Sequence, residues 1–159
     1  MALSATPAVS QEVKLLQKYN KWAAYISEGS PKVCFAVSQP EASTPKNVRR
    51  GPIYFYVSHY PGDKVTGEFS VKMGYPFAPG AKVTVTIGND KFELFTKEEG
   101  AFIEKTEDEA KLVEALKSGN SMKVQGRSAR GTNTSDTYSL GGTTDALARI
   151  AKECGGATP

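Results

Sequence analysis

Pro52-Ile53-Tyr54-Phe55-Tyr56-Val57-Ser58-His59 is the stretch whose reading decides the fold class. Aromatic and β-branched side chains fit a pleated, half-buried surface, so the segment predicts a β-strand. Successive side chains of a strand point to opposite faces. Ile53, Phe55 and Val57 therefore share one face, and Tyr54 and Tyr56 share the other.

The period of two continues on both sides. Upstream, after a turn at Gly29-Ser30-Pro31, Val33, Phe35 and Val37 lie on one face of a strand and Cys34 and Ala36 on the other. Both faces are apolar or small, which predicts a central, buried strand. Gln39 to Arg50 carries two prolines with Ser, Thr, Asn and three basic residues, and reads as a solvated loop. Downstream, Tyr60-Pro61-Gly62-Asp63 is a turn, and Glu68 to Met73 alternates polar with apolar. After the Gly74–Gly80 connector, Lys82–Ile87 and Lys91–Thr96 flank Gly88-Asn89-Asp90 as a hairpin. Ala101–Ile103, Ser121–Ser128 and Thr137–Leu140 complete the predicted strands.

Three segments read as helices. Ser10 to Asn20 carries Val13 and Leu16, with Leu15 and Tyr19 flanking them, Ser10 as cap and Glu12 in the first turn. Thr106 and Glu109 form a capping box ahead of Ala110, Leu112, Val113 and Leu116, and Gly119 ends that helix. Thr144 to Glu153 places Leu147, Ile150, Ala151 and Cys154 on one face. Trp22 reads as a core anchor. About seven or eight short strands with frequent turns predict a mainly β, antiparallel β-sandwich with peripheral helices. Strands and helices do not alternate regularly, which argues against a doubly wound parallel sheet. The domain is expected over 22–154, after an N-terminal segment 1–21 and before a disordered tail 155–159.

The chain's 159 residues suit one domain able to bury a core unaided. A net charge of +3, with basic and acidic residues interspersed, lacks the basic stripe of a nucleic-acid binder. No apolar run approaches the roughly 18 residues of a membrane-spanning helix. Ala2 to Ala8 is small and featureless, like the cleavage end of a signal peptide, and we expect an export signal to have been removed upstream of it.

Little in the sequence suggests bond-making chemistry. Neither a nucleophile elbow, a phosphate-binding loop nor a C-x-x-C motif occurs. The single histidine, His59, reads as a strand-end surface residue, and Glu107, Asp108 and Glu109 as charges favouring a helix dipole. Cys34 and Cys154 lack metal-ligand spacing. Either they form a disulfide tying the first strand to the last helix, or they are two buried free thiols. A bridge closing about 120 residues would restrain the unfolded chain by roughly 5 kcal/mol in the loop-entropy account. No cofactor or metal is expected.

Two candidate binding features stand out. Ser128 to Tyr138 is dense in hydroxyls; Arg130 would either take an anionic group or pair with Asp136 across a turn in which Gly131 has positive φ. Tyr54 and Tyr56 form either an amphipathic contact surface, if their face is exposed, or part of the core, if it is covered.

Five segments, in order, resemble the invasion-associated locus B family of alphaproteobacterial exported proteins. They are Val33–Pro40, Arg50-Gly51-Pro52, Gly74-Tyr75-Pro76-Phe77, Ser128–Thr132 and Asp136–Leu140. The resemblance implies an immunoglobulin-like β-sandwich, a signal peptide, a periplasmic or outer-envelope location, and in some members a part in host-cell entry. It offers no catalytic residues. It favours the Cys34–Cys154 bridge, and since this chain has Tyr25 where some members carry a cysteine, no other pairing applies. The expected function is therefore non-enzymatic binding of an envelope or host-surface macromolecule, with Arg130, Asp136, Tyr54 and Tyr56 as candidate contacts. The alternative is a small-ligand carrier with a pocket between the sheets.

Overall fold

The computed structural model describes residues 12–155. Among them eleven strands form one continuous antiparallel sheet: β1 (Val13–Tyr19), β2 (Trp22–Ser27), β3 (Val33–Ser38), β4 (Ala42–Thr44), β5 (Tyr54–Tyr60), β6 (Val65–Lys72), β7 (Lys82–Ile87), β8 (Asp90–Lys97), β9 (Gly100–Phe102), β10 (Ser121–Arg127) and β11 (Asn133–Ser139). Their order across the sheet is β1-β2-β3-β5-β6-β9-β8-β7-β10-β11-β4. Helices α1 (Thr106–Ser118) and α2 (Thr143–Cys154) complete the fold.

The sheet turns back on itself so that its halves face each other, sandwich-fashion. Phe55 of β5 meets Tyr138 of β11 edge-on, with ring centroids 5.8 Å apart. The Trp22 indole N–H donates to the Ser139 carbonyl oxygen at 3.0 Å, fixing β2 to the far end of β11. Alternation supplies the inward side chains: Phe55, Val57, Phe69 and Val71 from one half and Val83, Val85, Leu94 and Val124 from the other are essentially fully buried. The β7–β8 hairpin pairs Ile87 with Asp90 around Gly88-Asn89, as expected.

Both helices help close the core, each with one face exposed. Leu147 and Ile150 of α2 are fully buried, and each such burial contributes about 1.5–3 kcal/mol. This helix lies over β2 and β3 and is tied to the latter by the Cys34–Cys154 disulfide (Cα–Cα 6.0 Å). The bridge resolves the cysteine alternatives in its own favour. The N-cap residue of α2 is Gly142, whose φ is +91° and whose missing Cβ leaves room for the Tyr19 carbonyl oxygen. A side chain there would collide with β1.

The structure corrects several expectations. Val13–Tyr19 is an edge strand, not a helix. A bulge between Leu15 and Gln17 breaks the period of two. It turns Leu16 and Tyr19 towards the core and Val13 and Leu15 outward, which imitates helical spacing. The β1–β2 turn, with Tyr19 opposite Trp22, uses Asn20 at positive φ. Thr106 does not cap α1: Lys105 is the N-cap residue, without a side-chain capping bond. The acidic first turn is as expected. Strand β3 is central, but only its Cys34–Ala36–Ser38 face is buried; α2 packs over these small residues. The Gln39–Arg50 loop contains β4, which pairs with β11. Ala2–Ala8, Ser10 and residues 156–159 of the expected tail lie outside the described residues.

Candidate functional site

Two features break the apolar-in, polar-out pattern, one on each face of the sheet. On the outer face, cross-strand register aligns rings from β2, β3 and β5. Tyr25 faces Phe35, and their rings stack at 5.3 Å. Phe35 meets Tyr56 edge-on at 5.9 Å, and Tyr56 lies 5.8 Å from Tyr54. Register carries the row on from Tyr56 through Ser70 and Phe102 to Phe95, where the last two rings are 5.8 Å apart. Phe95 is 38 % exposed, and Leu15, opposite Tyr25 on β1, is 48 % exposed. The other rings of this ladder are half-buried. Burial raises the Tyr56 phenol above its ordinary value, with neighbouring Tyr54 adding to the effect. Among the described residues no helix or second sheet is layered here; the helices occupy the opposite face. Tyr54 and Tyr56 thus belong to a larger surface than their own strand suggested.

Across β7, β10 and β11 the outer face changes character. Thr84, Gln125 and Ser135 align in one register row, and Thr86, Lys123 and Thr137 in another. This half is polar and needs no partner.

On the inner face, between the halves, a charge pair is buried. Arg50 Nη1 and Nη2 donate to Asp136 Oδ1 and Oδ2 at 2.7 and 2.8 Å. Arg50 Nε and Nη2 also donate to the Met73 carbonyl oxygen at 3.1 and 2.8 Å. The guanidinium carbon lies 4.9 Å from the centroid of the Tyr75 ring, and the Tyr75 hydroxyl is 2.6 Å from Thr134 Oγ1. The side chain of Asp136 is fully buried and that of Arg50 is 7 % exposed. Gly51 N–H donates to the Gly74 carbonyl oxygen at 2.8 Å, and a Cβ on Gly74 would strike the Gly51 carbonyl oxygen. This close crossing requires glycine at Gly74, which also has φ of +75°. A neighbouring loop is stitched on by Ala129 N–H, donating to the Pro76 carbonyl oxygen at 2.8 Å.

The Arg50, Gly74 and Asp136 segments, three of the five that carry the family resemblance, thus meet in one buried latch, and a fourth, Ser128–Thr132, is joined to its exposed edge. Correspondingly, the family model described as "Invasion associated locus B (IalB) protein" matches residues 22–151. The chain belongs to the IalB family. No curated protein and no solved structure matches it. The matched region starts at β2, so edge strand β1 lies outside it.

Within this IalB chain the expected contacts separate. Asp136 does not pair with Arg130; it is bound bidentately by Arg50, which the sequence placed in a solvated loop. Arg130 sits exposed in the β10–β11 turn beside Gly131, whose φ is +86°. The electrostatic reason is desolvation: Asp136 projects inward from β11, and the buried Arg50 guanidinium offsets the cost of burying its charge. Sequence reasoning also missed Tyr25, Phe102 and Phe95, whose alignment depends on register across strands distant in the chain. Arg50's position immediately before Gly-Pro and the central strand was the available hint of its buried role.

His59 is buried as well, at 1 % exposure, and is not a surface residue. Its Nδ1 accepts a hydrogen bond from Gly67 N–H at 3.1 Å, which leaves the proton of the neutral ring on Nε2. Nε2 has no partner among the described residues, and burial holds the pKa of the ring below its ordinary value. No cluster of three or more potential metal ligands occurs among the described residues.

Proposed function

We propose that this chain is an exported, non-enzymatic envelope or cell-surface protein whose outer aromatic ladder docks a macromolecule of the envelope or of a host surface. The observation that carries this reading is the row from Tyr25 through Phe35, Tyr56 and Tyr54, with Phe102 and Phe95 beyond it. Aromatic area left partly in water along a rigid sheet is a contact surface, because burying it against a partner releases that water. The rings already hold one another in place, so little side-chain entropy is lost on docking. Export is supported by family membership and by the disulfide, since disulfides persist in oxidising compartments. The family's association with invasion makes a host-cell surface one such partner. The carrier alternative draws no support from the region between the sheet halves, which Trp22, Phe55 and Tyr138 occupy.

The test is positional. A photocrosslinking amino acid is placed at Phe35, Tyr56, Thr86 or Gln125 in the protein expressed in its own cell. Adducts are expected from the first two positions only. Equal yields from all four, or adducts confined to Thr86 and Gln125, would remove the aromatic face from the function.

A further inference from the structure

The end of the molecule where α2 meets β3 and β5 carries a second arrangement, independent of the aromatic face. Cys34 and His59 are direct cross-strand partners in the β3–β5 ladder, and Cys34 is bridged to Cys154 at the end of α2. A pocket of about 260 Å³ opens there, lined by His59, Pro61, Lys64, Val65, Thr66 and the last residues of α2, Cys154 and Gly155. Cys34 is fully buried, whereas Cys154 is 7 % exposed and lines the pocket. Gly155, Lys64 and Thr66 at the mouth are exposed.

We infer that the Cys34–Cys154 disulfide is open to attack by an external small thiol at Cys154, with His59 stabilising Cys34 as the leaving thiolate. The thiolate of the incoming thiol attacks Cys154 Sγ and forms a new S–S bond with it. The Cys34–Cys154 bond breaks, and its electron pair stays on Cys34 Sγ. The thiol is oxidised to its half of a mixed disulfide, and Cys34 is reduced. His59 Nε2–H, without an acceptor among the described residues, gains one in that thiolate and donates a hydrogen bond while keeping its proton.

Three physical asymmetries favour this direction. Only Cys154 faces the pocket. Cys154 also ends a helix, where the dipole disfavours a thiolate, so expelling Cys154 would be the poorer route. Cys34, in contrast, faces His59 across the β3–β5 ladder, and His59 Nε2 has no acceptor among the described residues. Lys64, at the mouth and in the left-handed region at φ 56°, adds positive charge on the approach of an anionic thiol.

The experiment uses the oxidised full chain under native conditions, with reduced glutathione as the thiol. The rate is followed by acid quenching, alkylation and peptide mass spectrometry. It is expected to be first order in glutathione without a plateau, and the first adduct is expected on Cys154. His59→Phe should slow the reaction about tenfold, the loss of one hydrogen bond to a charged group. Lys64→Asn, which keeps a residue tolerant of positive φ, should slow it less, and only with the anionic thiol. A variant that merely loosens the fold would be reduced faster, the opposite sign. A rate that saturates at the unfolding rate, an adduct on Cys34, or a His59→Phe rate equal to or above that of the parent would overturn the inference.

Discussion

The two faces of this sheet break the usual pattern in opposite ways. Inside, Arg50 and Asp136 place charges where the protein is driest; outside, Tyr25, Phe35, Tyr54 and Tyr56 place rings where it meets water. The inner departure is fully answered. Asp136 receives two donors, Arg50 has two acceptors and an aromatic lid, and the Tyr75 hydroxyl is paired. The outer departure is answered only by ring-to-ring contact, and one side of the ladder remains half-exposed. The family segments therefore mostly encode the latch that holds the halves together, while the aromatic ladder draws largely on residues outside them. Phe35, inside the first segment, is the exception.

Breaking the latch should have the largest effect on stability. Asp136→Ala leaves the Arg50 charge buried without its partner, and should lower unfolding stability by about 3–5 kcal/mol in urea titrations. Replacing both members by apolar residues, as in Arg50→Met with Asp136→Leu, should recover much of that loss. If Asp136 were instead a ligand-binding group, its removal would leave the urea midpoint nearly unchanged. Tyr75→Phe is a finer cut: it keeps the ring over Arg50 but strands the buried Thr134 hydroxyl, at a cost of about 1–2 kcal/mol.

The inner face should also be sensitive to pH through His59. Its folded pKa lies below the ordinary 6.5 because burial penalises the charged ring. Below pH 6.5 the unfolded chain therefore binds more protons than the folded one. The His59 contribution to stability is whole above that pH and is lost as pH falls towards the folded value. Urea midpoints at pH 7.5 and 5.5 should differ less in His59→Asn than in the parent protein; an equal difference would remove His59 as the source.

On the outer face the effects shift from stability to binding. Tyr54→Ser combined with Tyr56→Ser should cost about 1 kcal/mol of stability through lost ring pairs, yet abolish crosslinking from Phe35. Gln125→Ala, on the polar half, should change stability by no more than about 0.5 kcal/mol and leave crosslinking intact. Loss of crosslinking in both variants would erase the distinction between the halves of this face.

Much of the fold was legible because alternation is a local signal. Strand β5, the β7–β8 hairpin and the apolar face of α2 follow from residues only a few positions apart. Val13–Tyr19 was illegible because a single bulge replaces the period of two with a spacing that a helix would also show. At the candidate site, Tyr54 and Tyr56 were visible as a pair on one strand. Whether their face was covered was undecidable, since nothing within Pro52–His59 records what packs upon it.

By itself, then, the sequence determined a mainly β chain, which side chains share a face, the family, and the two cysteines as alternatives between a bridge and free thiols. The tertiary structure decided which face is the inner one, that Asp136 belongs to Arg50 and not to Arg130, that His59 lies beside the disulfide, and that rings from strands far apart in the chain form one ladder. The physical reason is one of range. Side-chain alternation and turn chemistry act between neighbours, whereas burial, charge pairing and register are set by whatever the closed sheet brings opposite each residue.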